Sequence, residues 1–145
     1  MKISLVHFAA IVTLFGIGSG AAATSPTPFP VVKPDPQAVA AAAKWLAVVD
    51  AGNYSDSYDM LPPRIKRAGD TEWLSFLRSR RSALGRPLSR KLVKAQFSHT
   101  LAVSPDGNYE FLTYHTAFVH KAQATEIVTL TKESGHWQVS GYHFR

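Results

Sequence analysis

Two pairs of polar side chains in the C-terminal half of the chain have the chemistry of acid–base catalysis. The first pair is Glu126 with His143. If Ser134 and Gly135 form a two-residue hairpin, these two side chains lie opposite each other on neighbouring strands. A carboxylate beside an imidazole favours the charged histidine, and such a pair can exchange protons with a substrate. It is equally an ordinary cross-strand contact worth about 0.2–1 kcal/mol, and we favour this structural role because both residues fall near strand ends.

The second pair is His99 with Tyr114, and its geometry depends on the intervening turn. A two-residue turn at Asp106–Gly107 sets the two side chains opposite each other, whereas a four-residue turn puts Leu112 opposite His99. The pair lies about four residues along the sheet from Glu126, on the order of 13 Å at about 3.3 Å per residue. The two pairs therefore cannot form one catalytic cluster, and we favour a hydrogen-bonded structural role for His99 over that of a base.

An arginine is predicted on the apolar side of a basic helix. This helix begins at Asp70 or Thr71 and ends before Gly85. Its apolar stripe consists of Trp73, Leu77 and Leu84, with Phe76 beside them. At 100° per residue Arg80 falls in the middle of this stripe, while Arg81 falls at its edge. A charge that faces a core must be paired, so we favour an ion pair for Arg80; the alternative is contact with an anionic ligand at a pocket edge.

Several other chemistries are excluded by the sequence. The chain has no cysteine, which excludes thiolate metal sites and disulfides. Neither His115 with His120 nor His136 with His143 has the strand parity needed to hold one ion from one face. Phosphate loops rich in glycine, nucleophile elbows and H-E-x-x-H motifs are absent. We therefore predict no metal and no cofactor.

Positive charge is concentrated between residues 64 and 94. This segment has ten basic residues against two acidic ones, in a chain whose formal net charge is +6. Such a surface can meet lipid headgroups, anionic glycans or nucleic acid. Because no aromatic residue is interleaved with the arginines in the manner of a single-strand binding platform, we predict no nucleic-acid partner. A solvated positive face is favoured, and docking to an anionic envelope component is the alternative.

The first 23 residues are typical of a secretory signal peptide. Lys2 precedes an apolar run from Ile3 to Ile17, and Ala21–Ala23 supplies an A-x-A cleavage pattern. The apolar run is short for a membrane span, although an uncleaved amino-terminal anchor is the alternative. We predict cleavage near Ala23, a periplasmic or secreted protein, and no transmembrane segment in the mature chain.

The remainder is predicted to be a linker followed by one domain. Residues 24–36 hold five of the nine prolines, which predicts an extended tether with no packed structure of its own. Residues 37–145 are enough for one α+β domain with a hydrophobic core.

Local signals divide this domain into three helices and then four strands. Asp35 caps the first helix, Pro36 opens it, and Gly52 follows its end. A short second helix spans Asn53 to Leu61. The strands are predicted at Leu88–Leu101, Asn108–Val119, Thr125–Glu133 and His136–Phe144, with a loop at His120–Ala124 between the second and the third. Alternation gives their sheet one apolar face and one Thr-rich face. This asymmetry predicts an α+β fold, with N-terminal helices packed on one face of a curved four-stranded antiparallel sheet.

Short motifs spread between Ala38 and Arg145 carry a resemblance to known proteins. They are Trp45-Leu46, Asp50-Ala51-Gly52, Trp73, Leu84-Gly85, Ser89-Arg90, Pro105-Asp106-Gly107-Asn108-Tyr109, Thr116-Ala117-Phe118, Lys121, Glu126-Ile127-Val128-Thr129 and Trp137-Gln138-Val139-Ser140-Gly141-Tyr142. With them the chain resembles a family of small exported bacterial proteins catalogued as domain of unknown function 4019. The order of elements resembles the nuclear transport factor 2-like (cystatin-like) superfamily.

The resemblance implies an exported single domain without an assigned activity. The wider fold group includes isomerases, dehydratases and polyketide cyclases with a pocket between helices and sheet, but fold alone does not make an enzyme. We expect a non-catalytic module that binds a small ligand or a protein, with a homodimer through the Thr-rich face (Phe111, Ile127, Tyr142) as one option. The alternatives are an isomerase- or dehydratase-type enzyme using the two polar pairs, and electrostatic docking through residues 64–94.

Overall fold

Four helices precede four strands in the computed structural model of the protein, which describes residues 28–67 and 69–145. The helices are α1 (Pro36–Asp50), α2 (Tyr54–Asp59), α3 (Pro63–Lys66) and α4 (Thr71–Leu84). The strands are β1 (Pro87–Ser98), β2 (Tyr109–Phe118), β3 (Lys121–Glu133) and β4 (His136–Phe144). The predicted signal peptide, residues 1–23, lies outside the described residues.

The strands form one open antiparallel sheet in the order β1-β2-β3-β4, and the helices cover one face of it. The α+β prediction is therefore confirmed. The Ser134–Gly135 hairpin is also confirmed, and its two residues have φ of 50° and 83°, which suits a type I′ turn. The predicted loop at residues 120–124 is wrong, because β3 already begins at Lys121.

The first helix begins and ends where its sequence signals predict. The Asp35 side chain accepts a hydrogen bond from the Gln37 amide at 2.8 Å, and Pro36 occupies the first turn. One side of α1 is buried against the sheet through Ala38, Ala42, Trp45, Leu46 and Val49. Small alanines at the start of this side let the helix approach the sheet closely. None of the described helices is long and apolar enough to cross a membrane.

The described part of the proline-rich segment is packed against the sheet. The ring of Phe29 stacks on Phe111 with 4.8 Å between centroids. Residues 30–32 pair with the edge of β1, where Val32 donates its amide proton to the Ala95 carbonyl and the Phe97 amide donates to the carbonyl of residue 30. The prediction of a tether without packed structure is thus wrong for residues 29–32, because alternate backbone groups between the prolines remain free to pair.

Two β-bulges reverse the side-chain alternation that the sequence predicted. In β1, Val93 is an extra residue, so Leu92 opposes Tyr114 while Lys94 opposes Thr113. In β4, Ser140 is the extra residue, because Gly141 and Val139 oppose consecutive residues of β3. Each bulge moves every residue beyond it to the other face of the sheet.

The bulges change which side chains face the helices. Arg90 turns toward the helices, whereas Val93, predicted on the core face, is 42% exposed. Tyr142, predicted on the Thr-rich face, is buried on the helix side. Phe111 does lie on the outer face but is covered by Phe29, so of the three side chains predicted to be exposed there only Ile127 remains partly exposed.

Candidate functional site

A network of ion pairs joins α1, α4, β1 and β3 at the carboxyl end of α1. Asp50 Oδ1 lies 2.6 Å from Arg81 Nη2, and Asp50 Oδ2 lies 2.6 Å from Arg90 Nη1. Arg90 also reaches Glu126, with 2.6 Å between Nε and Oε2. Arg81 Nη1 lies 3.7 Å from Glu126 Oε1. We call these four residues the arginine–carboxylate network.

Glu126 is the fully buried member of this network. Its carboxylate accepts hydrogen bonds from the guanidinium of Arg90 and from the hydroxyls of Thr116 and Tyr142. Burial by itself raises the pKa of Glu126, but the hydrogen bonds and charge of Arg90 outweigh it, and the two hydroxyls add to them. The pKa of Glu126 therefore lies below its usual value, and the side chain is ionised at neutral pH.

The groups around Glu126 are held in one protonation state. Burial and the charge of Glu126 raise the pKa of the Tyr142 hydroxyl well above its usual value, so this group remains a neutral donor. Burial lowers the pKa of Arg90, but hydrogen bonds to Asp50 and Glu126 more than offset it, so the guanidinium is always charged. The guanidinium of Arg81 also lies 4.6 Å from the centre of the Phe118 ring, a cation–π contact.

This arrangement is suited to holding elements together. Two carboxylates and two guanidiniums cancel in charge, and all four carboxylate oxygens accept hydrogen bonds from within the protein. A carboxylate with a lowered pKa is a poor proton acceptor. Removing one partner from a buried pair of this kind costs about 3–5 kcal/mol. The network thus ties α1 and α4 to the sheet.

A second buried glutamate lies at the other end of α1. Glu110 is 2% exposed and accepts the Asp35 amide proton at 2.9 Å. The Asp35 carboxylate accepts a hydrogen bond from the Trp137 indole at 2.9 Å. This hydrogen bond and, to a smaller extent, the one from the Gln37 amide lower the pKa of Asp35. Burial raises the pKa of Glu110, and the negative charge of Asp35 raises it further, although the hydrogen bond from the Asp35 amide opposes this. Glu110 is therefore easier to protonate than Glu126.

Tyr114 faces the helices between these two glutamates. It opposes Leu92 on one side and Glu126 on the other. Its hydroxyl is buried without a hydrogen-bond partner among the described residues. Burial, only partly offset by the charge of Arg90, raises the pKa of Tyr114 to about 12. The hydroxyl is therefore protonated at neutral pH.

The predicted pairing of His99 with Tyr114 is wrong. β1 ends at Ser98, so His99 follows the strand and is exposed, with its ring against the edge of Phe97 at 4.9 Å. In the structure Leu112 opposes Ala95 instead of His99, so neither the two-residue turn nor the four-residue turn considered from the sequence occurs.

The predicted pairing of Glu126 with His143 is wrong for a different reason. The bulge at Ser140 shifts the register by one residue, so Phe144 opposes Glu126. His143 opposes Ile127 and is exposed. Glu126 itself lies on the core face, as its position in the strand predicted.

The arginine that faces the core is Arg81, and the prediction for Arg80 is wrong. Arg80 is exposed, whereas Arg81 is 3% exposed. The buried side of α4 is centred nearer to Leu77 and includes the partly buried Leu74, which shifts the stripe away from Arg80. Sequence reasoning also missed Asp50 and Arg90; the one available signal was that a buried arginine requires carboxylates on neighbouring elements.

A groove lies between α1 and β4. Its volume is about 240 Å³, and it is lined by Ala41, Lys44, Trp45, Met60, Trp137, Gln138 and Val139. We call it the α1–β4 groove. A shallower depression of about 420 Å³ lies along α4 and is lined by Asp70, Thr71, Leu74, Ser75, Arg78 and Ser79. None of the predicted site residues lines either depression.

The polar groups of the α1–β4 groove differ in their availability. The Trp45 indole donates to the Ser57 carbonyl at 3.0 Å, and the Trp137 indole donates to Asp35. Gln138 makes a 3.4 Å hydrogen bond to the Met60 carbonyl. Lys44 is exposed and forms no ion pair with a described residue. Within the described ranges no group of three or more His, Asp or Glu side chains is placed to hold a metal ion.

Comparisons with known proteins identify a family. No curated protein and no solved structure matches the chain. The family model described as a protein of unknown function (DUF4019) matches residues 41–142, a range that contains the whole arginine–carboxylate network together with Thr116 and Tyr142. The chain therefore belongs to this family of proteins of unknown function.

Proposed function

We propose that the protein is an exported, non-catalytic binding domain and that its ligand occupies the α1–β4 groove. The observation that carries this proposal is the presence of two indole rings with an unpaired lysine, Lys44, in one concave site. Export rests on the signal-peptide pattern of residues 1–23, and the domain is assigned to residues 37–145.

The groove defines a class of ligand. Because both indole N–H groups are already committed, neither Trp45 nor Trp137 offers a free donor. Trp137 is 9% exposed and presents part of its ring surface, whereas Trp45 is 1% exposed and lies behind the groove wall. Lys44 offers a positive charge. A volume of about 240 Å³ is below the roughly 300–1,000 Å³ of pockets for drug-sized molecules, so it suits a single ring or one side chain. The matching ligand is a small aromatic group that carries a carboxylate, either free or at the end of a peptide.

The enzymatic alternative has less support. General acid–base catalysis needs a titratable group within reach of the substrate. His99 and His143 are exposed and line neither described depression, and Glu126 is held by Arg90 with a lowered pKa. Measurement of proton abstraction from small carbonyl substrates, with the His99→Ala/His143→Ala variant as control, tests this alternative. Activity that depends on these histidines would overturn the binding proposal.

The binding proposal can be tested with phenylacetate and N-acetylphenylalanine. In the ¹⁵N-labelled protein, the indole signals of Trp45 and Trp137 are expected to shift saturably, while that of Trp73 is unchanged. Ala41→Phe, which fills the groove, and Lys44→Ala should each weaken binding at least fivefold. Lys121→Ala, at an exposed position outside the groove, is the matched control. Equal shifts with the uncharged phenylacetamide, or no shifts, would contradict the proposal.

A second candidate function is docking to an anionic envelope component. Arg81 and Arg90 lie inside the network and Arg64 pairs with Glu133. The exposed cations of the segment are Arg67, Arg78, Arg80, Arg86, Lys91 and Lys94. None of these six forms an ion pair with a described residue. Co-sedimentation with vesicles containing phosphatidylglycerol is expected at 20 mM salt but not at 500 mM, and Arg78→Glu/Arg80→Glu should reduce it. Binding that does not respond to salt or to this variant would reject this candidate.

We also assign the domain to the nuclear transport factor 2-like superfamily. Support comes from the order of helices followed by strands and from the helical cover on one face of the sheet. Homodimer formation through the Thr-rich face has weaker support than the sequence indicated, because Tyr142 faces the core and Phe111 is covered. Sedimentation equilibrium of the mature protein with an Ile127→Asp variant tests the dimer.

A further inference from the structure

The outer edge of β1 consists of a covered half and an open half. Residues 30–32 lie along Ala95–Phe97, and this half of the strand is buried or half-buried. Residues 88–94 are mostly exposed, with Leu88 57% and Val93 42% exposed. β1 is at the end of the sheet order, so no further strand of the sheet covers the open half.

The covered half demonstrates that this edge accepts an added strand. The Val32 amide donates to Ala95 at 3.0 Å, and the Phe97 amide donates to the residue 30 carbonyl at 3.2 Å. The added segment runs antiparallel, with Val31 opposite Gln96. A backbone edge that pairs in one half presents the same type of donors and acceptors in the other.

The open half is short and positively charged. Bulges at Leu88 and Val93 bound a regular stretch of four residues, Ser89–Leu92, within which β1 pairs with β2 without a register shift. Lys91 and Lys94 are exposed along the open half, and the exposed Arg86 directly precedes β1. The chain has no acidic residue between Glu72 and Asp106, so no acidic neighbour in sequence balances these charges.

We propose that the open half of β1 binds an extended acidic segment of a partner protein by strand addition. Backbone hydrogen bonds to Ser89–Leu92 would supply affinity, while the basic side chains that flank this stretch select acidic residues. A second copy of this chain is disfavoured, because pairing of β1 with itself brings lysines against lysines. The site is separate from the α1–β4 groove and does not depend on ligand binding there.

The test uses a fluorescein-labelled peptide of eight residues in which glutamate alternates with isoleucine or threonine. Fluorescence anisotropy should show saturable binding to the mature protein. A peptide of the same charge with N-methyl groups on three central residues cannot pair through its backbone and should bind at least tenfold more weakly. The corresponding lysine peptide should not bind.

Variants of the protein locate the site. Lys91→Glu/Lys94→Glu should weaken binding of the acidic peptide at least tenfold, whereas Arg67→Glu/Arg78→Glu, which changes the net charge equally, should leave it within twofold. Hydrogen exchange should slow at the amides of Ser89–Leu92 when the peptide is bound. Circular dichroism verifies that both variants fold, which their exposed positions favour.

Several outcomes would overturn the proposal. Equal binding of the N-methylated peptide would mean that charge alone attracts the peptide. The proposal would also fail if hydrogen exchange slowed at other strands, if the two double variants lost peptide affinity equally, or if the acidic peptide did not bind. The basic residues would then serve only to keep this edge unpaired, which is a common role of lysine on edge strands.

Discussion

The two ends of α1 are anchored by buried glutamates with opposite electrostatics. Glu126, near the carboxyl end, is surrounded by two guanidiniums and two hydroxyls, and its pKa is lowered. Glu110, near the amino end, accepts a backbone amide proton beside another carboxylate, and its pKa is raised. Both side chains are buried on the same face of the same sheet. The difference teaches that burial alone does not set the charge of a carboxyl group; its partners do.

The largest expected effect comes from removing Arg90, the arginine that donates hydrogen bonds to both carboxylates. Arg90→Met leaves Asp50 and Glu126 without their principal partner and should lower the free energy of unfolding by about 3–5 kcal/mol, measured by urea denaturation. Arg80→Met, on the exposed side of α4, should change it by less than about 0.5 kcal/mol. An equal, small effect of both variants would mean that the network contributes little to stability.

A smaller loss is expected from removing one neutral donor at Glu126. Tyr142→Phe deletes a hydroxyl that donates to a buried carboxylate, so stability should fall by about 1.5–3 kcal/mol. Tyr114→Phe is the matched control, because the Tyr114 hydroxyl has no hydrogen-bond partner among the described residues, and its removal should be close to neutral. If Tyr114→Phe lowered the midpoint of thermal denaturation more than Tyr142→Phe, the hydrogen-bond assignment would be contradicted.

At the amino end of α1, the packed segment before the helix should contribute less. Phe29→Ala removes the stacked contact with Phe111, and an aromatic pair is worth about 0.5–1.5 kcal/mol beyond its buried area. We expect a loss of at least this size in urea denaturation, together with faster hydrogen exchange at the Val32 amide. Val31→Ala, at a position 68% exposed, is the control and should have little effect. If hydrogen exchange at the Val32 amide were unchanged in Phe29→Ala, the backbone pairing of residues 30–32 with β1 would be sufficient to hold this segment on the sheet.

The smallest effect on stability is expected at Glu110, where substitution should stabilise the protein at neutral pH rather than destabilise it. The pKa of Glu110 is raised in the folded state, so its stabilising contribution is present below its usual value of 4.5 and is lost as pH rises through the folded pKa. Glu110→Gln should therefore be neutral or stabilise the protein by on the order of 1 kcal/mol at pH 7, with the gain disappearing in acid.

Glu126→Gln provides the contrasting pH profile. The pKa of Glu126 is lowered, so its contribution is present above 4.5 and is lost as pH falls through the folded pKa. Unfolding free energies from pH 3 to pH 8 should therefore show the two variants diverging from the parent in opposite directions as pH rises. Parallel profiles would show that the two environments do not differ as their contacts indicate.

Much of the fold could be predicted from local sequence signals. The cap at Asp35, the end of α4 at Gly85 and the Ser134–Gly135 hairpin each depend on a few neighbouring residues, and all three occur as predicted. The burial of Glu126 also followed from its position in an alternating strand. These features depend on contacts within an element or across one tight turn.

The partners of Glu126 could not be predicted in the same way. A strict alternation puts Arg90 and Tyr142 on the outer face, and one extra residue in each strand reverses both. A helical wheel places Arg80 in the middle of the apolar stripe and Arg81 at its edge, but which of them is buried depends on where Asp50 and Glu126 lie. Such choices involve residues at least 16 positions apart, between which no local periodicity carries information.

The sequence by itself determined the α+β order of elements, the ends of the first helix, the basic segment and the presence of a carboxylate inside the core. Only the tertiary structure decided that β-bulges at Val93 and Ser140 turn Arg90 and Tyr142 toward that carboxylate, and that His99 and His143 are exposed. The physical reason is that caps and turns depend on neighbouring residues, whereas the register of a sheet is fixed by the packing of the whole face against the helices.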